Sequence, residues 1–554
     1  MEIGFKNDIP TYSGGLGVLA GDTIKSAADL SLPMVAVTLI YRKGYFRQDL
    51  DEFGRQTEHA EDWNPAGQMT LLPQKVRIRL EDRDVAIQVW AYNISSLVEK
   101  WNVPIFFLDT NLPENDPEDR TLTDSLYGGD ERYRLKQEAV LGLGGVSMLR
   151  ALGFRIKKYH MNEGHASLLT LELLNRHKRD IESVWDEREI WDIERVKDLC
   201  VFTTHTPVDA GHDRFSYDIV KKVLGDLFPI EVLKDLAGKD KLNMTLLAMN
   251  LSQYINGVAK KHGEVSKVLF PGYQIRAITN GVHTFTWTSE SFARLYDKYL
   301  PGWANEPEIF VRVDKVPEEE LWGAHMEAKK KLIDHVNSVT GAAMDYDTLT
   351  IGFARRATAY KRANLLLSDT ERLRKIAKGK LQVIYAGKAH PKDFDGKKNI
   401  EEIFKTIQLL KKDIKIVYLN NYNMDLALKM VSGVDVWLNT PMRPREASGT
   451  SGMKASHNGV VNFSVLDGWW IEGHIEGHTG WAIGASPTEV TLTESTDLMD
   501  AEDLYHKLET LVIPTYYNDR KGWIKMMESS IGKIAYYFNT HRMMRRYVTE
   551  AYIR

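Results

Sequence analysis

The chain has 554 residues, of which 43% are hydrophobic and 27% are charged, and its formal net charge is −4. This composition is typical of a folded protein with large cores and excludes an intrinsically disordered chain. The small net charge gives no electrostatic case for nucleic acid or a membrane surface, and we expect neither partner.

The length predicts roughly two to four domains. Cys200 is the single cysteine, so the chain has no intramolecular disulfide, which fits a reducing compartment. No apolar run is long enough to cross a membrane, and the start at Met1-Glu2-Ile3-Gly4 does not look like a signal peptide. We therefore expect a soluble, cytoplasmic protein.

Short β-rich runs alternate with helical stretches along the chain, without an internal repeat. The predicted strands are 34–40, 103–108, 156–160, 199–203 and 275–279, then 349–354, 381–386, 414–418, 434–438 and 460–465. Predicted helices include 22–30, 166–176, 318–336 and 400–410. Strand–helix alternation favours parallel, doubly wound sheets, to which 74–80 and 85–92 add an antiparallel hairpin.

Two such halves predict an α/β fold of two Rossmann-like, doubly wound domains facing a cleft. We place the boundary just after Asn280-Gly281 and expect domains of residues 1–283 and 284–554. The C-terminal end is predicted to be helical, because one helix face collects apolar residues. These residues are Trp523, Met527, Ile531, Ile534 and Phe538, and Thr540 can cap a last helix ending near Tyr552.

The segment from Pro444 to Gly468 carries the strongest chemical signal. Gly449 and Gly452 let the backbone approach a ligand closely. Thr450 or Ser451 can cap a short helix whose first N–H groups attract anions. Lys454 then either clamps a phosphate or forms a Schiff base with a phosphorylated aldehyde cofactor. The ordinary alternative is a lysine on a solvated helix turn.

Basic residues follow the predicted strand 349–354. Four cations lie within eight residues: Arg355, Arg356, Lys361 and Arg362. Such a run is commonly a solvated helix start. Ligands of open α/β sheets, however, gather beyond the carboxyl ends of the strands, so this position favours an anion site. Lys388 follows the strand 381–386 and either adds charge to that site or lies on the surface.

Three features of the first half are candidates for the same chemistry. Ser13-Gly14-Gly15-Leu16-Gly17 opens a helix and is a weak candidate for an anion cradle. His205 and His165 each follow a predicted strand, although a lone histidine is more often structural. Neither His160 nor His165 has the spacing of a metal site, so we predict no metal.

Together these motifs resemble the α-glucan (glycogen and maltodextrin) phosphorylase family, especially its shorter prokaryotic-type members. The matching pieces are Gly-Gly-Leu-Gly at 14–17, Tyr-Lys-Arg at 360–362, Gly-Lys-Ala at 387–389 and Gly-Thr-x-x-Met-Lys at 449–454. The resemblance covers nearly the whole chain. It implies a glycosyltransferase-B type architecture with C-terminal helices crossing back to the first domain, pyridoxal 5'-phosphate on Lys454, and a homodimer.

The resemblance also implies a role for individual residues by position. Arg356 and Lys361 match ligands of the substrate phosphate, and His205 matches a histidine that contacts bound glucose. With Lys454, these form the predicted catalytic group. The remaining predicted cofactor ligands are Arg355, Thr450, Ser451, Tyr422, Trp287 and Gly15. The predicted substrate ligands are Asn280, Glu446, Ser448, Gly449, Leu16 and His165.

The implied reaction is phosphorolysis of an α-1,4-glucan from its non-reducing end by inorganic phosphate, giving α-glucose 1-phosphate. The cofactor acts in this family through its phosphate group. Two alternatives stay open: a sugar-nucleotide-dependent glycosyltransferase of the same fold, and a glucan-binding homologue with impaired catalysis. The second arises because relatives carry more sequence ahead of the glycine loop. Long regulatory extensions are lacking, so we expect no phosphorylation switch or nucleotide effector.

Overall fold

The computed structural model describes residues 1–180, 182, 187–485 and 496–553. The chain divides into two compact units, which we describe separately. Unit 1 comprises Met1–Phe46, Ala60–Ile278 and Met544–Arg554, and unit 2 comprises Arg47–His59 and Thr279–Met543. Within the described residues, no helix combines the length and apolar character needed to cross a membrane.

The strands are, in chain order, β1 (Ala36–Leu39), β2 (Arg47–Leu50), β3 (Gln56–His59), β4 (Thr70–Leu80), β5 (Arg83–Ser95), β6 (Asn102–Asp109), β7 (Tyr159–Asn162), β8 (Cys200–Thr203), β9 (Arg214–Ser216), β10 (Lys241–Asn243), β11 (Tyr254–Gly257), β12 (Ile275–Ala277), β13 (Leu349–Ala354), β14 (Leu381–Ala386), β15 (Lys415–Leu419), β16 (Val436–Asn439), β17 (Val461–Val465) and β18 (Gly480–Ile483).

The α-helices are α1 (Gly15–Asp29), α2 (Pro117–Arg120), α3 (Glu131–Ala139), α4 (Gly145–Ala151), α5 (Leu169–Arg176), α6 (Ile193–Leu199), α7 (Tyr217–Leu224), α8 (Ile230–Ala237), α9 (Met244–Asn250), α10 (Lys260–Leu269), α11 (Thr284–Trp287), α12 (Glu290–Tyr299), α13 (Glu318–Thr340), α14 (Thr370–Ala377), α15 (Phe394–Leu410), α16 (Met424–Gly433), α17 (Ser451–Ser456), α18 (Trp470–Gly473), α19 (Asp497–Lys507), α20 (Ile513–Asn518), α21 (Arg520–Ser529) and α22 (Thr540–Tyr547). Turns of π-helix at Val140–Gly144, Leu508–Val512, Ser530–Ala535 and Val548–Tyr552 continue α3, α19, α21 and α22.

Unit 2 is built on a six-stranded sheet in the order β15-β14-β13-β16-β17-β18, and every pairing is parallel. Every residue of β13 and β14 is buried. A strand with both faces covered consists of a nearly continuous apolar run, which is why the sequence predicted both strands at their observed bounds. The two central neighbours, β13 and β16, are not consecutive in the chain, so the strand order reverses between them.

Unit 1 contains two four-stranded sheets. One has the order β1-β6-β5-β4, in which β1 and β6 are parallel and the other pairs antiparallel. The other has the order β12-β11-β8-β7 and is wholly parallel. The predicted hairpin over 74–80 and 85–92 is confirmed as the β4–β5 pair. Eight strands of unit 1 are thus divided between a mixed sheet and a parallel one, and β9 and β10 pair antiparallel as a separate two-stranded sheet.

Some predicted elements differ from the observed ones for identifiable reasons. Helix α1 begins at Gly15 rather than at 22, so the glycine-rich loop supplies its first turn. Gly21 lies against the chain start, where a Cβ atom would fall 2.0 Å from the Gly4 carbonyl oxygen. Strands β11 and β18 are short and each includes a glycine, so their local β-propensity is low and the sequence did not indicate them.

Candidate active site

The segments predicted to bind phosphate and cofactor meet at one edge of the unit 2 sheet. Arg355 directly follows β13, and the segment with Lys454 follows β16. Because β13 and β16 are neighbours at the point where the strand order reverses, the connections that leave them diverge and open a crevice. The topology therefore places both predicted segments where open α/β sheets bind ligands.

A buried cluster of two cations and one carboxylate lies at this edge. Arg355 Nη2 donates to Glu446 Oε2 at 2.7 Å, and Lys361 Nζ donates to the same oxygen at 2.6 Å. The three side chains are only 9–11% exposed. Burial alone would raise the pKa of the Glu446 carboxyl, but the two cations outweigh it and lower this pKa to about 2. Glu446 is therefore ionised at neutral pH.

The cluster retains unused hydrogen-bonding capacity. Both cations bind Oε2 of Glu446, and Oε1 accepts no hydrogen bond from the residues described. The buried Nη1 of Arg355 and Oγ1 of Thr358 likewise have no partner in the described part of the chain. Buried polar groups without partners are costly, so they point to a ligand. Two cations against one carboxylate leave net positive charge, which suits an anion.

The other cations of the basic run differ in role. Arg356 is exposed beside Arg355, and Lys388 is half-buried in the loop after β14. Arg362 points elsewhere: it binds Asp500 at 2.7 Å and Asp497 at 2.7 Å, and donates to the Thr440 carbonyl. It is therefore structural. The alternative of a solvated helix start is not observed, because a loop followed by a 3₁₀ turn at Ala359–Lys361 follows β13.

Lys454 is buried against an aromatic ring. It lies on α17 with 7% of its surface exposed, and its Nζ is 3.8 Å from the centroid of the Trp287 ring. Asn458 Nδ2 donates to the carbonyl oxygens of Trp287 at 2.7 Å and Lys454 at 3.1 Å, and so fixes the pair. The alternative of a lysine on a solvated turn is excluded by this burial.

The start of α17 differs from the prediction. Thr450 is the N-cap residue, but its side chain makes no capping hydrogen bond. Ser451 Oγ instead accepts from Trp437 Nε1 at 2.9 Å. The prediction that one of these hydroxyls caps the helix was wrong, because Ser451 Oγ is the hydrogen-bond acceptor of the Trp437 indole and Thr450 makes no capping bond. The first turn therefore has no side-chain cap, which leaves its backbone dipoles suited to a phosphate group.

Two glycines allow the segment its close approach. Gly449 has φ +79°, a conformation that strains other residues. At Gly452 a Cβ atom would lie 2.3 Å from Asn462 Oδ1 and 2.6 Å from the Trp469 ring. A buried amine, an uncapped helix start and a buried arginine together fit a group with an aldehyde and a phosphate, which is the chemistry of pyridoxal 5'-phosphate.

Asp467 hydrogen-bonds across the segment 444–468 and was not predicted from the sequence. Its Oδ2 accepts from the backbone N–H of Glu446 at 3.0 Å, and Trp469 N donates to the Ser448 carbonyl at 2.9 Å. These bonds join the two ends of the 444–468 segment. Burial raises the pKa of Asp467 to about 7. The available signal was its position directly after the strand at 460–465.

Asn280 and Tyr422 are two further predicted ligands in unit 2, and they differ in burial. Asn280 is buried, and its Oδ1 has no hydrogen-bond partner among the residues described. Its carbonyl oxygen accepts from Arg542 Nη2 at 2.9 Å. Tyr422 is half-buried in the loop after β15. Asn280 therefore presents a buried acceptor that a ligand hydroxyl could use.

In unit 1, the carboxyl ends of β7 and β8 bring the histidine motifs together. His205 Nε2 lies 2.5 Å from Asn162 Oδ1, and its backbone N–H donates to Glu163 Oε2 at 2.7 Å. Burial lowers the pKa of His205 to about 3, so the ring is neutral. Burial also lowers the pKa of His165, whose Nδ1 has no partner among the residues described. Glu163, not singled out from the sequence, fixes the His205 loop.

The glycine-rich loop is held by a carboxylate of the protein itself. Glu2 Oε2 accepts from the backbone N–H groups of Ser13 at 2.5 Å and Gly14 at 3.2 Å. Tyr127 donates to its Oε1 at 2.9 Å. Gly15 and Leu16 form the first turn of α1, and the space where a Cβ of Gly15 would lie is open. Within the described residues, no cluster of three or more acidic, histidine or cysteine side chains could hold a metal ion.

Fold and site together define an α/β protein with a positively charged anion site and a buried lysine at the reversal point of a parallel sheet. Comparison with known proteins agrees with this class. Residues 229–513 match the model of the carbohydrate phosphorylase family. The whole chain is 40% identical to maltodextrin phosphorylase of Thermococcus litoralis, covering 70% of that protein.

Other relatives give the same result. The whole chain is 36% identical to glycogen phosphorylase of Aquifex aeolicus, covering 85% of it, and 35% identical to glycogen phosphorylase of Mycobacterium tuberculosis, covering 70%. The chain therefore belongs to the carbohydrate phosphorylase family, as its motifs predicted.

Proposed function

We propose that this protein is an α-1,4-glucan phosphorylase, which releases α-D-glucose 1-phosphate from the non-reducing ends of glycogen or maltodextrin with inorganic phosphate. The observation that carries the proposal is the buried Arg355–Lys361–Glu446 cluster at the reversal point of the parallel sheet. The relatives named maltodextrin and glycogen phosphorylase support the same function.

Pyridoxal 5'-phosphate is the cofactor of this proposal. Lys454 would hold it, with Trp287 beside the lysine and Arg355 near its phosphate. The other proposed ligands are Thr450, Ser451, Tyr422 and Gly15. When bound, the cofactor supplies a phosphate group that exchanges a proton with the substrate phosphate.

The basic residues of the site bind inorganic phosphate and keep it reactive. Arg356 and Lys361 would hold the substrate phosphate, and Lys388 would add positive charge. Two phosphate groups in a dry site repel each other strongly, and these cations offset that repulsion. Arg355 and Lys361 are mostly buried, so little water reaches this part of the site. Water would otherwise compete with phosphate for the sugar.

The sugar ligands would orient the terminal glucose without adding positive charge. Glu446 Oε1 and Asn280 Oδ1 are acceptors for glucose hydroxyls. The neutral ring of His205 can hydrogen-bond to glucose, whereas a cation there would oppose the positive charge that develops on the sugar as the glycosidic bond breaks. Ser448, Gly449, Leu16 and His165 complete the proposed substrate ligands.

We further propose a domain arrangement, a cellular location and an oligomeric state for this protein. We include the two-domain glycosyltransferase-B arrangement, with domains 1–283 and 284–554 and terminal helices that cross back to the first. The parallel sheets of both units support this arrangement. We also include a cytoplasmic location and a homodimer, which the family resemblance supports.

The test is direct. Incubation of the chain with pyridoxal 5'-phosphate, maltodextrin and inorganic phosphate is expected to release glucose 1-phosphate, and omission of phosphate is expected to abolish the product. If no glucose 1-phosphate forms but glucose is transferred from a sugar nucleotide, the protein is a glycosyltransferase of the same fold instead. Glucan binding without either reaction would identify a catalytically impaired homologue.

A further inference from the structure

A small hairpin from the first part of the chain belongs to unit 2. Strands β2 and β3 pair antiparallel and lie in Arg47–His59, which clusters with the second half of the chain. At its turn, a Cβ on Gly54 would meet the Phe404 ring of α15 at 2.5 Å. Lys397 of α15 pairs with Glu58 of β3 at 2.6 Å. The hairpin is therefore fixed to the helix that follows the Lys388 loop.

Two glutamines of the hairpin hold the backbone on both sides of Lys388. Gln48 Nε2 donates to the Gly387 carbonyl at 3.0 Å. Gln56 Nε2 donates to the Ala389 carbonyl at 2.8 Å, and Gln56 Oε1 accepts from the Ala389 N–H at 3.0 Å. The Gln56 amide thus pairs with Ala389 as a neighbouring strand would. Gln48 and Gln56 also bond to each other at 2.8 Å.

The same contacts extend to the basic run. The Lys388 carbonyl accepts from Ala357 N at 3.0 Å, and Arg355 N donates to the Ala386 carbonyl at 3.2 Å. A Cβ on Gly387 would fall 1.9 Å from the Arg355 carbonyl oxygen, so the two loops are in direct contact. The backbone of Arg355 and Arg356 is therefore hydrogen-bonded to, and packed against, the Lys388 loop, which the glutamines fix.

Gln48 also holds the loop after β15. Its Oε1 accepts from the Asn421 N–H at 3.0 Å, and its own backbone N–H donates to Asn421 Oδ1 at 3.3 Å. Tyr422 is the next residue. Gln48 is wholly buried, and its amide uses both its donor and its acceptor. A neutral amide can hold these loops without neutralising the nearby cations, which a carboxylate would do.

We propose that Gln48 and Gln56 are positioning residues of the phosphate site: they fix the loops that present Lys388 and Tyr422 and, behind them, the backbone of Arg355 and Arg356. The inference rests on the proposed function. A displacement of about 1 Å in such groups can cost on the order of a hundredfold in rate. Loss of these hydrogen bonds would displace cations of the site and so weaken phosphate binding. Glucan binding should change much less, because neither glutamine hydrogen-bonds to a proposed glucan ligand in the described part of the chain.

The chain offers a matched control at the opposite end of β14, the strand that leads into the Lys388 loop. Gln382, the second residue of β14, donates to the Asp345 carbonyl at 2.7 Å and accepts from the Asp345 N–H at 3.0 Å. Gln56→Met and Gln382→Met thus remove the same kind of amide–backbone pair from the same unit. We expect both to lower the melting temperature, but only Gln56→Met to weaken phosphate binding, by about tenfold or more.

Two measurements decide the inference: isothermal titration calorimetry with inorganic phosphate, and the KM values for phosphate and maltodextrin in the loaded enzyme. Weaker phosphate binding in Gln56→Met, with an unchanged KM for maltodextrin and normal phosphate binding in Gln382→Met, supports it. Equal effects of the two variants, or no effect of Gln56→Met, overturn it. If Gln56→Met is insoluble, Gln56→Asn and Gln48→Met give the same comparison.

The outcomes also separate this inference from the proposed function. A wild-type chain that binds phosphate but forms no glucose 1-phosphate contradicts the function alone, and calorimetry on the variants still decides the role of the glutamines. A wild-type chain that binds no inorganic phosphate overturns the positioning role as well, because no anion site would exist to be positioned.

Discussion

At the residue scale, Glu446 shows how one side chain can serve two partners. Its Oε2 binds Arg355 and Lys361, whereas Oε1 receives no hydrogen bond from the described residues. The carboxylate can therefore keep the two cations in place and still accept a hydrogen bond from a sugar hydroxyl. This division would allow a residue that resembles a glucose ligand to lie also within the proposed phosphate site.

Replacement of Arg356 should weaken phosphate use with little effect on folding. The side chain is exposed, so Arg356→Gln removes a positive charge without leaving a cavity. We expect the KM for phosphate to rise by about tenfold or more, since a charged hydrogen bond contributes roughly 1.5–3 kcal/mol. Steady-state kinetics at varied phosphate measures this.

Arg150→Gln, at an exposed arginine of α4, serves as the control and should leave the KM for phosphate unchanged. Normal phosphate affinity in Arg356→Gln would contradict the assigned role.

The lowered pKa of Glu446 implies that the stability of the fold depends on pH. Its pKa is lowered in the folded state from 4.5 to about 2. The resulting stabilisation, on the order of 3 kcal/mol, is complete above about pH 4.5 and is lost as the pH falls towards about 2.

The melting temperature of the wild type should therefore approach that of Glu446→Gln as the pH is lowered from 5 to 3. Scanning fluorimetry across this range measures the difference, and a gap that stays constant would contradict the ionised pair.

At the element scale, short helix α17 depends on the absence of a side chain at Gly452. An alanine Cβ there would overlap Asn462 and Trp469, so Gly452→Ala should destabilise the fold by about 1–3 kcal/mol. It should also reduce retention of pyridoxal 5'-phosphate, because the strain falls two residues before Lys454. Thermal unfolding and cofactor absorbance after gel filtration report the two effects.

Gly323→Ala is the matched control. Gly323 is an exposed residue within α13, and its added Cβ would meet nothing within 4 Å among the described residues, apart from its chain neighbours and the backbone of its own helix. Alanine should therefore stabilise the helix by up to about 1 kcal/mol. Equal behaviour of the two alanine variants would show that the close contact at Gly452 is unimportant.

The sequence predicted elements well where the signal was local. Strands β13 and β14 were predicted at their observed bounds because they are continuous apolar runs. Lys454 could be singled out as a candidate because the glycines, the hydroxyls and the lysine of its motif are adjacent in the chain. Gln48 could not be placed, since its partner Asn421 lies 373 residues away. Glu2 and Asp467 were missed because a carboxylate that binds backbone N–H groups leaves no local pattern.

At the scale of the whole molecule, cofactor binding should appear as a gain in stability. A ligand that binds only the folded state stabilises it by about 2.7 kcal/mol at a hundredfold excess over its Kd. Pyridoxal 5'-phosphate should therefore raise the melting temperature of the wild type, and much less that of Lys454→Ala. Pyridoxine, which lacks both the aldehyde and the phosphate, is the control and should have little effect. An equal rise for the wild type and Lys454→Ala would contradict a role for this lysine.

We propose that Lys454 carries the cofactor of a glucan phosphorylase. The most direct measurement is borohydride reduction of the protein loaded with pyridoxal 5'-phosphate, followed by proteolysis and mass spectrometry. We predict one stoichiometric pyridoxyl-phosphate adduct, located on Lys454 and absent from Lys454→Arg. An adduct on other lysines only, or none at all, would contradict the claim.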